Sequence, residues 1–239
     1  MALLSISLDH IAALRQLRGG KEPDPVHAAV IAELAGASSV TASLRDDRAH
    51  IQDRDVYLLK QVVTTRFNLR IHPGAEMMAL AMDLLPSMVT FIGDQREASG
   101  SGALAIRGRE KELGEKITTL VDNGIAVCLA IEPEGLDVRT VSRLGARMVE
   151  LSTTAYARAS GQLRQEELDK VLAAAHAAHT RGLRVHAAGD LSYKNIGPIA
   201  RCEYIQEITV GHALIARAAL SGLESAVRDM VSGMQSGRP

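Results

Sequence analysis

The stretch Val210-Gly211-His212-Ala213-Leu214-Ile215-Ala216-Arg217-Ala218 joins the end of an apolar run to a helical pattern through a Gly-His pair. Amide N–H groups at a helix start have no partner within the helix and point toward an incoming anion. A glycine there lets the backbone come close to it. The chemistry this supports is the cradling of a phosphate. The same residues also make an ordinary strand-to-helix turn, and the pair by itself leaves both open. Further polar groups follow other apolar runs. Asp9, His10, Arg15 and Arg18 follow the first, and Ser43, Arg45, Asp46, Asp47, Arg48 and His50 the second. Arg70 and His72 end the third, Glu150, Ser152, Thr153, Thr154 and Tyr156 belong to the sixth, and His186, Gly189 and Asp190 to the seventh. Arg18, Arg45, Arg48, His50 and the Gly211 amides are the groups to hold one or two phosphates, because a guanidinium fork matches phosphate oxygens. Pairing with Asp46, Asp47 or Glu150 is the competing use of those arginines. His72, His186 and Asp190 offer an imidazole with an orienting carboxylate for proton transfer, or are simply hydrogen-bonded or solvated. His176 and His179 lie three apart on a helical pattern with no further ligand nearby. They are expected on a helix surface, and no metal or organic cofactor is expected.

These groups converge only if the runs that carry them stand around one rim. Strands are predicted at Leu3–Leu8, Ser39–Ser43, Phe67–Ile71, Met88–Ile92, Ile125–Ala130, Met148–Leu151, Arg184–Ala187 and Glu207–Val210. Helical periods fall between and after them, at Pro25–Leu34, Arg54–Thr64, Ala75–Leu84, Glu110–Asn123, Asp137–Leu144, Gln165–Arg181, Asn195–Arg201 and Leu223–Met234. Glycines at 36, 124 and 182 mark helix ends. Strand then helix, eight times over, predicts an α/β fold, a (β/α)8 TIM barrel with extra short helices. An open doubly wound sheet is the alternative. No low-complexity linker divides residues 1–239, so one domain is expected, with a frayed tail from about 233 to 239. In a barrel, function sits at the C-terminal ends of the strands.

Composition excludes some partners. Lys and Arg total 27 against 28 Asp and Glu, so the chain has no surface charge excess for nucleic acid. No apolar run reaches membrane-spanning length. The first residues show no basic segment ahead of an apolar one, so no signal peptide is expected. Cys128 and Cys202 have neither metal nor redox spacing, and Cys128 lies in an apolar run as a buried thiol. A reducing, cytoplasmic location is expected.

The rim residues also carry a likeness. Ser7-Leu8-Asp9-His10-Ile11-Ala12-Ala13-Leu14-Arg15 with Arg18-Gly19 resembles the opening of the pyridoxine 5′-phosphate synthase family. Pro23-Asp24-Pro25-Val26, Leu44-Arg45-Asp46-Asp47-Arg48, His50-Ile51, Asp53-Arg54-Asp55-Val56, Gly211-His212-Ala213 and Gly222-Leu223 continue it over nearly the whole chain. The resemblance implies a (β/α)8 barrel, assembled as an octamer of dimers. It implies condensation of 1-deoxy-D-xylulose 5-phosphate with 3-amino-2-oxopropyl phosphate, without metal or organic cofactor. It also implies a loop after strand four that closes over two bound phosphates. By the same resemblance Asp9, His10, Arg18, Arg45, His50, Gly189, Gly211 and His212 belong to the substrate site. Ser99 and Ser101 stand in the loop where the family has threonines.

The chain departs from the family pattern where protons move. Ser43 stands where the family carries a His, Arg70 where it carries a Glu, and Gly189 where it carries a second His, with Asp190 in place of the Gly that follows. General acid and base groups contribute about 10²–10⁴-fold each. A serine hydroxyl does not shuttle protons near neutral pH as imidazole does, and Arg offers no acceptor. A carboxylate at Asp190 repels a phosphate unless a cation neutralises it. The expected catalytic set is therefore Ser43, Arg70, His72, Glu150, His186 and Asp190, with Glu150 orienting substrate. Two functions are carried forward. One is an enzyme of small phosphorylated metabolites with remodelled chemistry. The other is a non-catalytic relative that holds a phosphorylated B6 vitamer or sugar phosphate, or assembles with a true synthase. Self-association from dimer to octamer is expected in either case.

Overall fold

The computed structural model describes residues 2–94, 102–133 and 135–236. Eight parallel strands close into a barrel in chain order. They are β1 (Leu3–Ser7), β2 (Ser39–Ser43), β3 (Phe67–Ile71), β4 (Met88–Phe91), β5 (Ala126–Ile131), β6 (Met148–Ser152), β7 (Arg184–Ala188) and β8 (Ile205–Val210). Around them run α1 (Asp9–Arg18), α2 (Pro25–Leu34), α3 (Asp53–Val62), α4 (Ala75–Leu84), α5 (Glu110–Asp122), α6 (Gly135–Arg143), α7 (Thr154–Arg158), α8 (Gly161–His179), α9 (Ile196–Ala200), α10 (His212–Ser221) and α11 (Leu223–Ser236). The (β/α)8 architecture is the expected one, and the open sheet is excluded by the β1–β8 pairing, in which Leu3 registers with Glu207 and Ile6 with Val210.

Two helices lie where loops were expected. α1 takes in Asp9, His10 and Arg18, and buries Ile11, Ala12 and Arg15 on one face. α7 is five residues long, too short to give a period. The last helix reaches Ser236. Met234 is buried in the core together with Ala226, Val227 and Met230, and it holds that final turn down.

Strand side chains alternate, apart from a register shift where β7 meets the start of β8. Leu4, Ile6, Val40, Ala42, Phe67, Leu69, Val89, Phe91, Val149 and Leu151 are buried in one large apolar cluster with the helices. The intervening residues point into the barrel and meet one another from strand to strand. Ser5 Oγ lies 2.8 Å from Thr41 Oγ1. Thr90 Oγ1 donates to Asn68 Oδ1 at 2.9 Å. Met88, Cys128 and Met148 form a separate small cluster. A period of two thus separates an oily outer layer from a polar and sulfur-lined interior.

One buried ion pair fixes the upper wall. Both terminal nitrogens of Arg15, on α1, donate to the Asp55 carboxylate, at 2.7 and 2.6 Å. The two side chains are 6% and 0% exposed. Arg15 Nη2 also donates to the His50 carbonyl at 2.9 Å. Asp55 accepts the Gln52 N–H at 2.9 Å and so caps α3. Breaking such a pair leaves a charge stranded away from water. Asp55→Asn is expected to lower unfolding free energy by about 3–5 kcal/mol, measured by urea denaturation. A loss under about 1 kcal/mol would show that water reaches the pair.

Candidate active site at the barrel mouth

The C-terminal ends of the strands open on a cavity of about 640 Å³. Of the residues singled out in the sequence, Asp9, His10, Ser43, His50, Arg70, Gly189, Asp190, Gly211 and His212 line it, together with Ser7, Asp94, Ser192 and Thr209. Three of these walls are positioned by backbone contacts. Asp9 Oδ1 accepts the Ser43 N–H at 2.7 Å and ties the start of α1 to the end of β2. His50 Nδ1 accepts the Ile51 N–H at 2.9 Å, which leaves its ring proton on Nε2. Gly211 precedes α10, whose start has no side-chain cap. The first amides of α10 therefore have no partner within the helix and face the cavity. A Cβ on Gly211 would stand 3.0 Å from His10 Nδ1 and 3.2 Å from Ser7 Cβ, so a side chain there would press into the cradle.

His10 is packed behind that glycine, its ring 5.3 Å from that of His212. Burial lowers its pKa, against the opposing pull of Asp9, so the imidazole is neutral near pH 7. Its Nδ1 is buried without a hydrogen-bond partner among the described residues. Asp190, at φ +50°, points to the rim, where Arg158 Nε donates to it at 2.6 Å. The cation that an acid beside a phosphate cradle requires is therefore supplied by α7, which the sequence did not reveal as a helix. Gly189, at φ +123°, is wedged against the same element. A Cβ there would lie 2.5 Å from Thr154 Oγ1 and 2.9 Å from Thr154 N, and Thr153 Oγ1 donates to the Gly189 carbonyl at 2.6 Å.

Several expected site residues lie elsewhere. Arg18 sits in a separate groove with Lys21, Glu22, Asp24 and His27. It is at the far end of α1, about 14 Å along the helix from Asp9. Arg45 and His72 line a small recess beside the mouth with Asp47 and Ile92, and Arg45 is held by Asp47 at 2.9 and 2.7 Å. Arg48 is paired with Asp53 and Glu76. Glu150 lies beneath the cavity and receives Arg70 Nη1 on both oxygens, at 2.7 and 2.8 Å. It is a partner of Arg70 here, in place of the expected role toward substrate. Ser99 and Ser101 lie outside the described residues. The ends of that segment are pinned, with Gly93 N–H donating to Gly102 O at 3.0 Å and Leu104 N–H to Ala130 O at 2.7 Å.

The proposed trio of His72, His186 and Asp190 does not assemble. His186 faces the barrel axis two residues, about 7 Å, below Ala188. There its Nδ1 is 3.6 Å from Glu207 Oε1, and Arg66 closes the lower end through Glu207. Burial pushes Glu207 up and the Cys128 thiol well up. His176 and His179 flank Tyr204 on the surface, each ring 5.0 Å from it.

Fold and site together define a (β/α)8 barrel with an uncapped helix start and a ring of histidines around one mouth cavity. The chain belongs to the family described as pyridoxal phosphate biosynthesis protein PdxJ, whose model matches residues 4–236. It is 46% identical over 236 residues to a pyridoxine 5′-phosphate synthase of Synechococcus sp., covering 98% of this chain and 99% of the relative. It is 42% identical over 233 residues to one of Geobacter metallireducens, covering 97% and 98%. Among solved structures, thiamine phosphate pyrophosphorylase from Pyrococcus furiosus aligns over 100% of this chain and 97% of its own, with a TM-score of 0.61 and 12% identity, which speaks to the fold alone. No helix among the described residues is long and apolar enough to cross a membrane.

Burial holds the His186 pKa down at about 4, with Arg66 and Arg184 adding to the effect. The unfolded imidazole takes up its proton near 6.5. The group's contribution to stability is therefore complete above pH 6.5 and is lost as pH falls toward 4. Urea midpoints are expected to decline through that window, with a shallower decline in His186→Gln. Equal slopes in the two proteins would show that His186 is not held neutral.

Proposed function

We propose that this chain binds small phosphorylated ketone or amine substrates in its barrel mouth and is an enzyme of the B6 ring-forming kind with remodelled proton transfer. The observation that carries this reading is the uncapped start of α10 opening, through Gly211, onto the cavity that His10 and His50 line. The free amides and the His50 Nε2–H donate to phosphate oxygens. Arg45, in the recess beside the mouth, would have to leave Asp47 to reach a phosphate. Its pair with Asp47 is partly exposed, and such pairs contribute about 0–1 kcal/mol, less than a phosphate dianion offers in exchange. Arg158 neutralises Asp190, so the cradle keeps its attraction for anions.

Proton transfer has a different cast from the family pattern. The Ser43 hydroxyl and the Arg70 guanidinium are not bases near neutral pH. Gly189 is packed where no side chain fits. His10, neutral and set behind the cradle with Asp9 beside it, is the proton acceptor placed closest to Gly211. The non-catalytic reading draws on the same facts, since Arg70 is already occupied by Glu150.

Steady-state assay with the two family substrates decides between them. Turnover is expected well above that of a Gly211→Asp control, and His10→Asn is expected to reduce kcat by about 10²–10⁴-fold. Thermal shift with phosphorylated ketoses and B6 vitamers runs beside it, because a ligand of the native state raises Tm. Stabilisation without turnover would establish the non-catalytic reading, and neither effect would overturn both. Leu17 on α1, Leu34 on α2 and Leu220 on α10 are strongly exposed on neighbouring helices, Leu220 at 92%. We propose that these exposed leucines take part in self-association. Sedimentation velocity is expected to show a species larger than one chain, and a monomer at micromolar concentration would refute it.

A further inference from the structure

The floor of the mouth cavity holds a half-used guanidinium. Arg70 gives only Nη1 to Glu150, at 2.7 and 2.8 Å. Its Nε and Nη2 have no partner among the described residues, and its side chain is 14% exposed, on the cavity that it lines. The Nε–Nη2 edge is one that grips a planar anion with two parallel hydrogen bonds. Ser43 registers beside Arg70 across the β2–β3 pair and lines the same floor. Its hydroxyl likewise has no partner among the described residues. Its backbone is fixed by Asp9. Three donors, two from a guanidinium edge and one from a hydroxyl, thus lie at one depth, below the rim on which the α10 cradle opens.

We propose that this floor is a second anion subsite beside the phosphate cradle, and that it takes a carboxylate, so that the chain binds a small 2-oxo or 2-amino carboxylic acid there. The proposal rests on the mouth being the substrate site and not on the reaction that follows. Charge selects carboxylate over phosphate. Arg70 and Glu150 cancel, and Asp9 and Asp94 line the same cavity, so a carboxylate adds one negative charge to an already acidic surround where a phosphate dianion adds two beside the Glu150 oxygens. Geometry selects it over a neutral carbonyl. A ketone oxygen fills one of the donors, and a carboxylate fills the whole edge. Positions 43 and 70, which carry the departures from the family pattern, then work together in binding.

Calorimetric titration of the full chain with pyruvate, with uncharged hydroxyacetone and with inorganic phosphate tests this. Pyruvate is expected to bind at least about tenfold more tightly than hydroxyacetone, and to bind equally well when phosphate is saturating. Glu150→Gln, which frees Nη1 and removes the competing charge, is expected to tighten pyruvate several-fold. The double variant Arg70→Gln with Glu150→Gln strands no buried charge, and so keeps the fold. It is expected to lose pyruvate affinity by about tenfold or more while phosphate affinity stays put. Equal binding of pyruvate and hydroxyacetone, an unchanged pyruvate affinity in Glu150→Gln, or one-for-one displacement of pyruvate by phosphate would overturn the proposal. Phosphate binding without pyruvate binding would overturn it and leave the phosphate cradle standing. Pyruvate binding without phosphate binding would uphold it and remove the cradle.

Discussion

Arg15 and Asp55 meet where water is excluded, and the whole upper wall is organised from that meeting. Asp55 accepts the guanidinium fork and caps α3, while Arg15 reaches on to the His50 carbonyl. Asp9, on the same helix as Arg15, returns to the backbone of Ser43. The segment between β2 and α3 is therefore tied at both ends to the helix that carries Asp9 and His10. A hydrophobic pair of similar volume would hold the helices together at least as well. What the ionic pair adds is direction, because a bidentate fork fixes orientation as well as distance. The histidines around the cavity are set by it.

The interior of the barrel departs from the usual filling of bulky branched residues. Ser5 with Thr41 and Asn68 with Thr90 satisfy one another between neighbouring strands, and Arg70 with Glu150 and Arg66 with Glu207 across the barrel. Ser39 Oγ and Glu207 Oε1 are buried with only loose contacts, Glu207 Oε1 lying 3.6 Å from His186 Nδ1. Desolvating these groups costs free energy that the apolar layer outside must offset. In return the cavity floor is built of donors whose positions do not relax when a ligand arrives. Such preorganisation makes a polar site effective.

Much of this was legible in the sequence. Short apolar runs mark all eight strands, because a parallel barrel repeats one short pattern between helices. Pro25–Leu34 and Ala75–Leu84 are bounded as expected, the first by the Asp24 cap and by Pro25 at its first position. The Gly211-His212 turn is where its residues place it. What the sequence hid follows from direction and depth. Arg18 follows a strand end closely in the chain, yet a helix between them carries it away from the mouth. His186 precedes the strand end by two residues, which puts it inside the barrel and below the cavity. Arg45, Arg70 and Asp190 were ambiguous because a charged side chain chooses between ligand and neighbour. Asp47, Glu150 and Arg158 are brought within reach by folding.

The two sulfhydryls differ sharply in their surroundings. Cys128 is sealed inside the barrel between methionines, whereas Cys202 is only partly covered, in the turn that leads into β8. That turn is at the opposite end of the strand from Gly211. A maleimide dye would therefore couple at one place only, on the side of the molecule away from the ligand, and would report tumbling or assembly without touching the cradle.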